Sequence, residues 1–480
     1  MPCSRRATRG SCSTASLRKP DGGFSPAALA AVLSGELRLS PSARLLLALS
    51  GGLDSMVLLH ALAALRTGFP FSLRAVHVDH ALHPDSVAWS EACAQACAQL
   101  AVPFDVRQVT VSTVAADGLE AAARRARYAA LSGSLAPGEI LVTAHQRDDQ
   151  AETVLLQLLR GAGVAGLAGM PARATFGRGE LVRPLLGFAR ASLEAYGRRH
   201  GLVWIDDPSN IDPRLRRSYL RTEIMPRLRA VWPQAERMLV RAAGHAAEAT
   251  ALLDELADAD LAGCRARDAT VHVREALSVA QLTTLSPARQ RNVLRRWLRQ
   301  QGFLVPGAQQ LEVLLAQLRH TPRSQHACVR WPGAEVWRYR DQLAVLAPQA
   351  LPDAALTVTW DGQQPLQLPG IGRLSAEPVR GAGIAHRHLA AGLQVRLRHG
   401  GERLRLPGRS GHQTLKKLLQ AAAVPPWLRS RLPVFYAAGA LAAVGDLWVC
   451  EGYAAGAGED GVRIVWDPYA GAGAEPEIIR

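Results

Sequence analysis

Short apolar runs alternate with longer helical stretches from residue 44 to about residue 160, and this alternation predicts the architecture of the first third of the chain. Residues 44–49 (RLLLAL) read as a buried strand, the stretch SMVLLHALAALR after Asp54 as a helix, and residues 72–79 (SLRAVHVD) as a second strand. A helix through Ala101 comes next, then a strand over 104–110, a helix over 118–135, a strand over 139–144 (EILVTA) and a helix over 148–160. Strands separated by helices of this length predict an α/β fold, a doubly wound parallel sheet with helices on both faces. Ligands bind such sheets beyond the carboxyl ends of the strands, so the chemistry is expected there.

Farther along, residues 232–317 carry a helical pattern, including the amphipathic run ARQRNVLRRWLRQQ (288–301). From Val329 onward, β-rich runs such as LTVTW (356–360) alternate with Pro/Gly turns. The expected order is a disordered tail over 1–23, a catalytic α/β domain over 24–235, a helical middle domain over 236–346 and a smaller mixed α/β domain over 375–470. A length of 480 residues suits about three domains. No window has the apolar length of a membrane span. Seven cysteines are too sparse for a disulfide framework and no signal peptide is recognisable, which points to a reducing cytoplasm. Cys93 and Cys97, four apart in an Ala-rich helix, read as small core hydrophobes, since two ligands do not make a zinc site.

Charge narrows the class of partner. Lys+Arg 56 against Asp+Glu 41 leaves +15, which favours a polyanion such as nucleic acid or nucleotide. Only Lys19, Lys416 and Lys417 are lysines, so the GxxxxGK[ST] phosphate loop is excluded. The excess is localised. Residues 1–23 carry +4, and residues 391–431 carry nine positive residues against Glu402, a net +8.

The first strand runs into Ser50, Gly51, Gly52, Leu53, Asp54 and Ser55, and then into a helix. Two glycines let the backbone turn tightly against an anion, and the helix start supplies N–H groups and a favourable dipole. This hexapeptide resembles the pyrophosphate-binding loop of the PP-loop ATP pyrophosphatases, which split ATP into AMP and pyrophosphate. The resemblance implies that residues 50–55 bind ATP through amides and the hydroxyls of Ser50 and Ser55. Asp54 repels phosphate directly, so its expected role is to hold Mg²⁺ that bridges to the phosphates.

Beyond the fourth strand, Asp149 and Glu152 are three apart and share one helix face directed at the same strand ends. Glu120, Arg124, Arg127 and Tyr128 form a stripe one helix earlier. The succession SGGLDS, HVDHALHPDS, the Glu-x-x-Ala-Arg-x-x-Arg-Tyr stripe, TAHQRDDQAETVLLQLLRGAGVAGLAGM, VRPLL, VWIDDPSNID and RSYLRTEIMPRL is similar to the tRNA(Ile)-lysidine synthetase family. Residues 395–436 resemble the C-terminal tRNA-binding module of its longer members. The resemblance implies ligation of free L-lysine to C2 of the wobble cytidine of CAU-anticodon tRNA(Ile), with ATP converted to AMP and pyrophosphate.

It further implies Asp149 and Glu152 as the grip on the lysine ammonium, one of them also accepting its proton. Arg124 and Arg127 are implied as ligands of phosphate or the cytosine carbonyl, and His145 as an assistant or a structural residue. Arg396, Arg398, Arg403, Arg405, Lys416 and Lys417 are expected to contact tRNA, beside Trp427. Ser218 and Gly118 stand where many members carry Asn. Two rivals are another PP-loop enzyme, tRNA-modifying or amide-forming, and a non-catalytic RNA-binding protein on a degenerate ATP fold. Sulfur-transferring relatives carry CxxC pairs that this chain lacks, and amide formers lack the basic C-terminal module. The oligomeric state stays open, a homodimer among the options.

Overall fold

The computed structural model describes residues 23–470, apart from 82, 112–118, 208–213, 267–274, 321, 323–325, 350 and 410, and leaves out the side chains of residues 119 and 120. Gly118, the side chain of Glu120 and nearly all of the expected tail fall outside this set. The chain divides into two compact units, one reaching Leu253 and the other starting at Asp254.

The first unit is built on a six-stranded sheet: β1 (Arg44–Ala48), β2 (Ser72–Asp79), β3 (Phe104–Gln108), β4 (Glu139–Val142), β5 (Arg173–Phe176) and β6 (Gly179–Val182), in the order β3-β2-β1-β4-β6-β5. All neighbours pair in parallel except β5 with β6. Its helices are α1 (Pro26–Ala31), α2 (Leu53–Leu65), α3 (Ser86–Gln99), α4 (Leu119–Ser134), α5 (Arg147–Leu159), α6 (Val164–Leu167), α7 (Arg190–Arg199), α8 (Arg216–Tyr219) and α9 (Met225–Val231); α10 (Ala235–Cys264) contains the division between the units. The alternation of β1 explains the two-sided core. Leu45 and Leu47 enter one cluster with Val57, Leu58 and Leu193, while Leu46 enters another with Val76, Tyr128 and Leu141. Cys93 and Cys97 are both fully buried in the first cluster, as core hydrophobes.

Two departures from the sequence pattern shape the site. Three of the four strands stop one or two residues early, β1 at Ala48, β3 at Gln108 and β4 at Val142, although Leu49, Val109 and Thr143 still donate to carbonyls of the neighbouring strands. The β5–β6 hairpin is additional to the four expected strands, and β6 covers the edge that β4 would otherwise expose. The order reverses between β1 and β4, the switch point at whose carboxyl ends sheets of this kind bind their ligands.

In the second unit, helices Val279–Thr284, Pro287–Gln300 and Ala308–His320 pack on a four-stranded antiparallel sheet formed by Leu277–Ser278, Gln342–Leu346, Ala334–Tyr339 and His326–Trp331. Val293, Leu294, Trp297 and Leu298 supply the buried stripe of Pro287–Gln300. Its arginines face the acids of α10: Arg296 reaches Asp254 at 3.1 Å and Asp258 at 2.8 Å, and Arg289 pairs with Asp260. Five-stranded and four-stranded antiparallel sheets complete the unit around a shared core of Trp360, Leu393, Phe435 and Trp466. Within it, Trp337 and Tyr339 of the first sheet meet Trp427 at ring distances of 5.4 and 6.4 Å.

Candidate active site

After β1 the chain turns through Ser50, Gly51 and Gly52 into α2. Gly51 has φ +83, and a Cβ added there would lie 2.5 Å from Ile205 Cδ1 and 3.1 Å from Cys93 Sγ, so both conformation and space require glycine. Ile205 pins the turn by donating its N–H to the Gly51 carbonyl at 2.9 Å, which is the local task of the Val-Trp-Ile-Asp segment. Gly52 is the N-cap of α2 and brings no capping side chain. The first-turn amides of α2 and the positive end of its dipole are thereby left to an external anion. Leu53 is buried in the core, so it has only its backbone to offer. Ser55 is buried, donates to the Gly52 carbonyl at 2.9 Å and meets Ser50 Oγ at 3.1 Å. Its proton braces the loop, which leaves Ser50 as the exposed hydroxyl of the pair.

On the other side of the switch point, Gln146 caps α5. Its side chain accepts from the Asp148 N–H at 2.6 Å, and the Asp149 carboxylate accepts from the Gln146 N–H at 3.0 Å. Glu152, one turn on, is 1% exposed. Arg217 Nε lies 2.8 Å from one of its oxygens and Arg221 Nε 2.7 Å from the other; Arg221 also reaches Asp149 at 3.0 Å and Arg217 reaches it at 3.4 Å. Asp149 and Glu152 thus share one side of α5 as their spacing predicts, but as half of a four-membered ionic cluster and not as a free pair. Arg217 and Arg221 are site residues that the motif RSYLRTEIMPRL contains without revealing their role. Two arginines four apart, matching two acids three apart, were the available signal.

Asp54 is the contrasting acid. Its Oδ1 is buried with no hydrogen-bond partner. Burial, followed by repulsion from Asp149, pushes its carboxyl up to about 7 against the pull of Arg190 and Arg221. An orphaned carboxylate oxygen at the start of α2 fits a hard cation. Among the described residues no group of three or more His, Cys, Asp or Glu side chains makes a ready metal cage, so phosphate and water would complete the coordination.

His145 follows β4, with Nδ1 3.0 Å from Thr143 Oγ1. Desolvation, and then the charges of Arg183, Arg217, Arg124 and Arg127, hold it well below the ordinary 6.5, so the imidazole is neutral. Arg124 lies 4.7 Å over the ring of buried Tyr128, with Nη2 3.4 Å from its hydroxyl, and Arg127 is exposed on the same helix. The fold therefore brings both arginines within electrostatic reach of the end of β4.

In the C-terminal region the basic residues divide. Arg403, Arg409, Lys416 and Lys417 are exposed. Arg396 lies 5.1 Å over Tyr436, Arg398 is 3.6 Å from Glu402, and Arg405 pairs with Glu451. Arg429 instead bonds to the Val424 carbonyl at 2.8 Å and Tyr339 Oη at 3.1 Å, and Arg431 to the Gln349 carbonyl at 3.1 Å. Trp427, expected beside the RNA-binding charges, is only 8% exposed and belongs to the core, because its ring fills the space between Trp337 and Tyr339. The nine-residue charge count thus overstates the exposed basic surface.

A glycine turn at a sheet switch point, an uncapped helix start and an orphaned acid beside it define an ATP-using α/β protein of the PP-loop class, and the PP-loop domain family matches residues 28–228. The TilS substrate binding domain matches residues 277–344 and the TilS substrate C-terminal domain residues 393–466. The chain is 43% identical to the tRNA(Ile)-lysidine synthase of Methylococcus capsulatus across 90% of this chain and 98% of that one. The corresponding enzymes of Coxiella burnetii and Alkalilimnicola ehrlichii are 39% and 44% identical, each across 90% of this chain and 94% and 95% of theirs. The chain belongs to the tRNA(Ile)-lysidine synthase family.

Proposed function

We infer that this chain is a carbon–nitrogen ligase that joins the ε-amine of free lysine to C2 of the wobble cytidine of CAU-anticodon tRNA(Ile). It consumes ATP and releases AMP and pyrophosphate, and it changes codon recognition from AUG to AUA. The observation that carries this reading is 39–44% identity to tRNA(Ile)-lysidine synthases over nine-tenths of the chain. An intact glycine turn at the switch point favours catalysis over a degenerate binding fold.

The reaction needs two steps, because the C2 oxygen leaves poorly until it is adenylated. In the first, the C2 oxygen bonds to the α-phosphorus and the bond to pyrophosphate breaks. In the second, the lysine nitrogen bonds to C2 and AMP departs with the oxygen. The amides after Gly51 hold phosphate oxygens, and Ser50 adds its hydroxyl. Mg²⁺ on Asp54 would spread the negative charge that develops on the phosphates. A lysine amine of pKa near 10.4 lies ~3.4 units above pH 7, so its deprotonation costs about 4.6 kcal/mol without a base.

Asp149, partly accessible at 14% side-chain exposure, is the better placed of the two acids to orient that ammonium. Glu152, buried at 1% exposure with an arginine on each oxygen, acts as the anchor that aims Arg217 and Arg221. Arg124 and Arg127 bind phosphate or the cytosine carbonyl. Arg396, Arg398, Arg403, Arg405, Lys416 and Lys417 contact tRNA phosphates, with the exposed Arg403, Lys416 and Lys417, and Arg409 beside them, dominant because Arg405, though exposed, is paired with Glu451. The working regions are 24–235, 236–346 and 375–470, the last two falling almost wholly in the second compact unit, and the middle one carries a four-stranded sheet where a helical domain was expected. The compartment is the cytoplasm. No helix among the described residues is long and apolar enough to cross a membrane. Light scattering decides between monomer and homodimer.

The deciding assay is lysine-dependent pyrophosphate release on an isoleucine-tRNA transcript compared with an elongator methionine-tRNA transcript of the same anticodon. Release on the first alone is expected. Release that ignores lysine, or equal release on both, contradicts the reading.

A further inference from the structure

ATP brings a triphosphate to a loop that has no lysine. Between Lys19 and Lys416 the chain has no lysine, so a cationic side chain that meets the phosphates from within the PP-loop domain is expected to be an arginine. The arginines nearest the acids are engaged: Arg217 and Arg221 with Asp149 and Glu152, and Arg229 with Asp148 and Glu236. Arg190 forms no ion pair among the described residues. It is the first residue of α7, half-buried, and its helix starts without a capping side chain.

Two sets of contacts place it. The start of α7 is docked on the start of α5, where the Arg147 N–H donates to the Phe188 carbonyl at 3.0 Å and the Arg190 N–H approaches Asp148 Oδ1 at 3.4 Å. Arg190, Leu193 and Gly197 then fall on one stripe of α7 at spacings of three and four. That stripe is pressed against α2: Leu193 is fully buried, and a Cβ at Gly197 would lie 3.2 Å from Leu53 Cδ1 and 3.5 Å from Val57 Cγ2. Leu53 is the first residue of α2, so the stripe that carries Arg190 follows the helix that leaves the phosphate loop.

We propose that Arg190 is the phosphate-binding cation of this site, holding the β- and γ-phosphates of ATP and then the pyrophosphate leaving group in place of the lysine the loop lacks. Its guanidinium matches phosphate geometry, and it draws away the charge that accumulates on the leaving group as the α-phosphorus is attacked. The charge of Arg190 is felt at Asp54, which agrees with a position beside the loop. This assignment rests on the ATP-pyrophosphatase reading of the site.

The test is equilibrium binding of pyrophosphate, ATP and AMP to the full chain and to Arg190→Gln and Arg190→Lys. Loss of one charge-assisted contact predicts that Arg190→Gln weakens pyrophosphate and ATP about tenfold to a hundredfold. AMP binding stays within about twofold, and Arg190→Lys restores most of the loss by returning the point charge. Unchanged pyrophosphate affinity in Arg190→Gln, or an equal loss of AMP binding, overturns the proposal, as does failure of a normally folded Arg190→Lys to recover. A wild-type chain that produces no AMP from ATP would instead overturn the reading of the site and the assignment with it.

Discussion

Each oxygen of Glu152 has an arginine nitrogen within 2.8 Å, whereas one oxygen of Asp54 is buried without a hydrogen-bond partner. The same residue class is therefore structural in one place and poised for a ligand in the other. For Asp54 the folded carboxyl titrates at about 7 against an ordinary 3.8. The unfolded state loses its proton first, so the native state is increasingly penalised from pH 3.8 upward and fully above pH 7, by roughly 4 kcal/mol at most. Asp54→Asn should consequently raise the thermal midpoint of the ligand-free protein, more at pH 8 than at pH 5, while weakening magnesium-ATP binding. Calorimetry at the two pH values checks this, and an equal shift at both would refute it. Glu152→Ala leaves Arg217 and Arg221 partly buried without their main partner and should cost about 3 kcal/mol in denaturant unfolding. Asp149→Ala should spare more stability yet lose most lysine-dependent modification, and full activity in that variant would remove Asp149 from the mechanism.

At the scale of elements, the glycine turn and its covering loop form one device. Gly51→Ala meets both the left-handed φ of +83 and the Ile205 side chain, so it should destabilise by about 2 kcal/mol and weaken ATP binding more than tenfold. Adding Ile205→Ala should recover part of the stability by making room, without restoring ATP affinity, since the φ strain remains; unfolding curves and nucleotide titrations of the two variants separate these effects. The first four strands were legible because β1 and β4 are apolar runs and β2 and β3 intersperse apolar with polar residues between turn or helix signals. The β5–β6 hairpin was not, because Arg173–Phe176 and Gly179–Val182 mix polar and apolar residues and lack the Ile-Leu-Val run that marks the equally short β4. Trp427 misled for a related reason: an aromatic among charges has the same sequence signature whether it stacks on RNA or, as here, on Trp337.

For the whole molecule, most of the +15 lies in residues 1–23 and 391–431. Three of the five arginines of Pro287–Gln300, Arg289, Arg296 and Arg299, pair with aspartates of α10, and Arg429 and Arg431 turn inward. Lys416→Ala with Lys417→Ala should therefore weaken binding of isoleucine and methionine tRNAs alike, and should lower the slope of log affinity against log salt by about 1 per lysine. Filter binding across a salt series reads this, and an unchanged slope would show that the two lysines do not touch phosphate. Removing everything after residue 370 is the poorer experiment, because strand Thr357–Trp360 pairs with Leu393–Leu397 and would lose its partner.

By itself the sequence determined the parallel α/β class, the phosphate-binding turn, the family resemblance and the position of the excess charge, because these depend on local periodicity and on contiguous residues. Only the tertiary structure decided which charges are free. Arg217 and Arg221 lie some 65–72 positions from the acids they clamp, and Ile205 lies far along the chain from the turn it pins. Pairing, burial and the isolation of Asp54 are set by long-range packing, which no local pattern encodes.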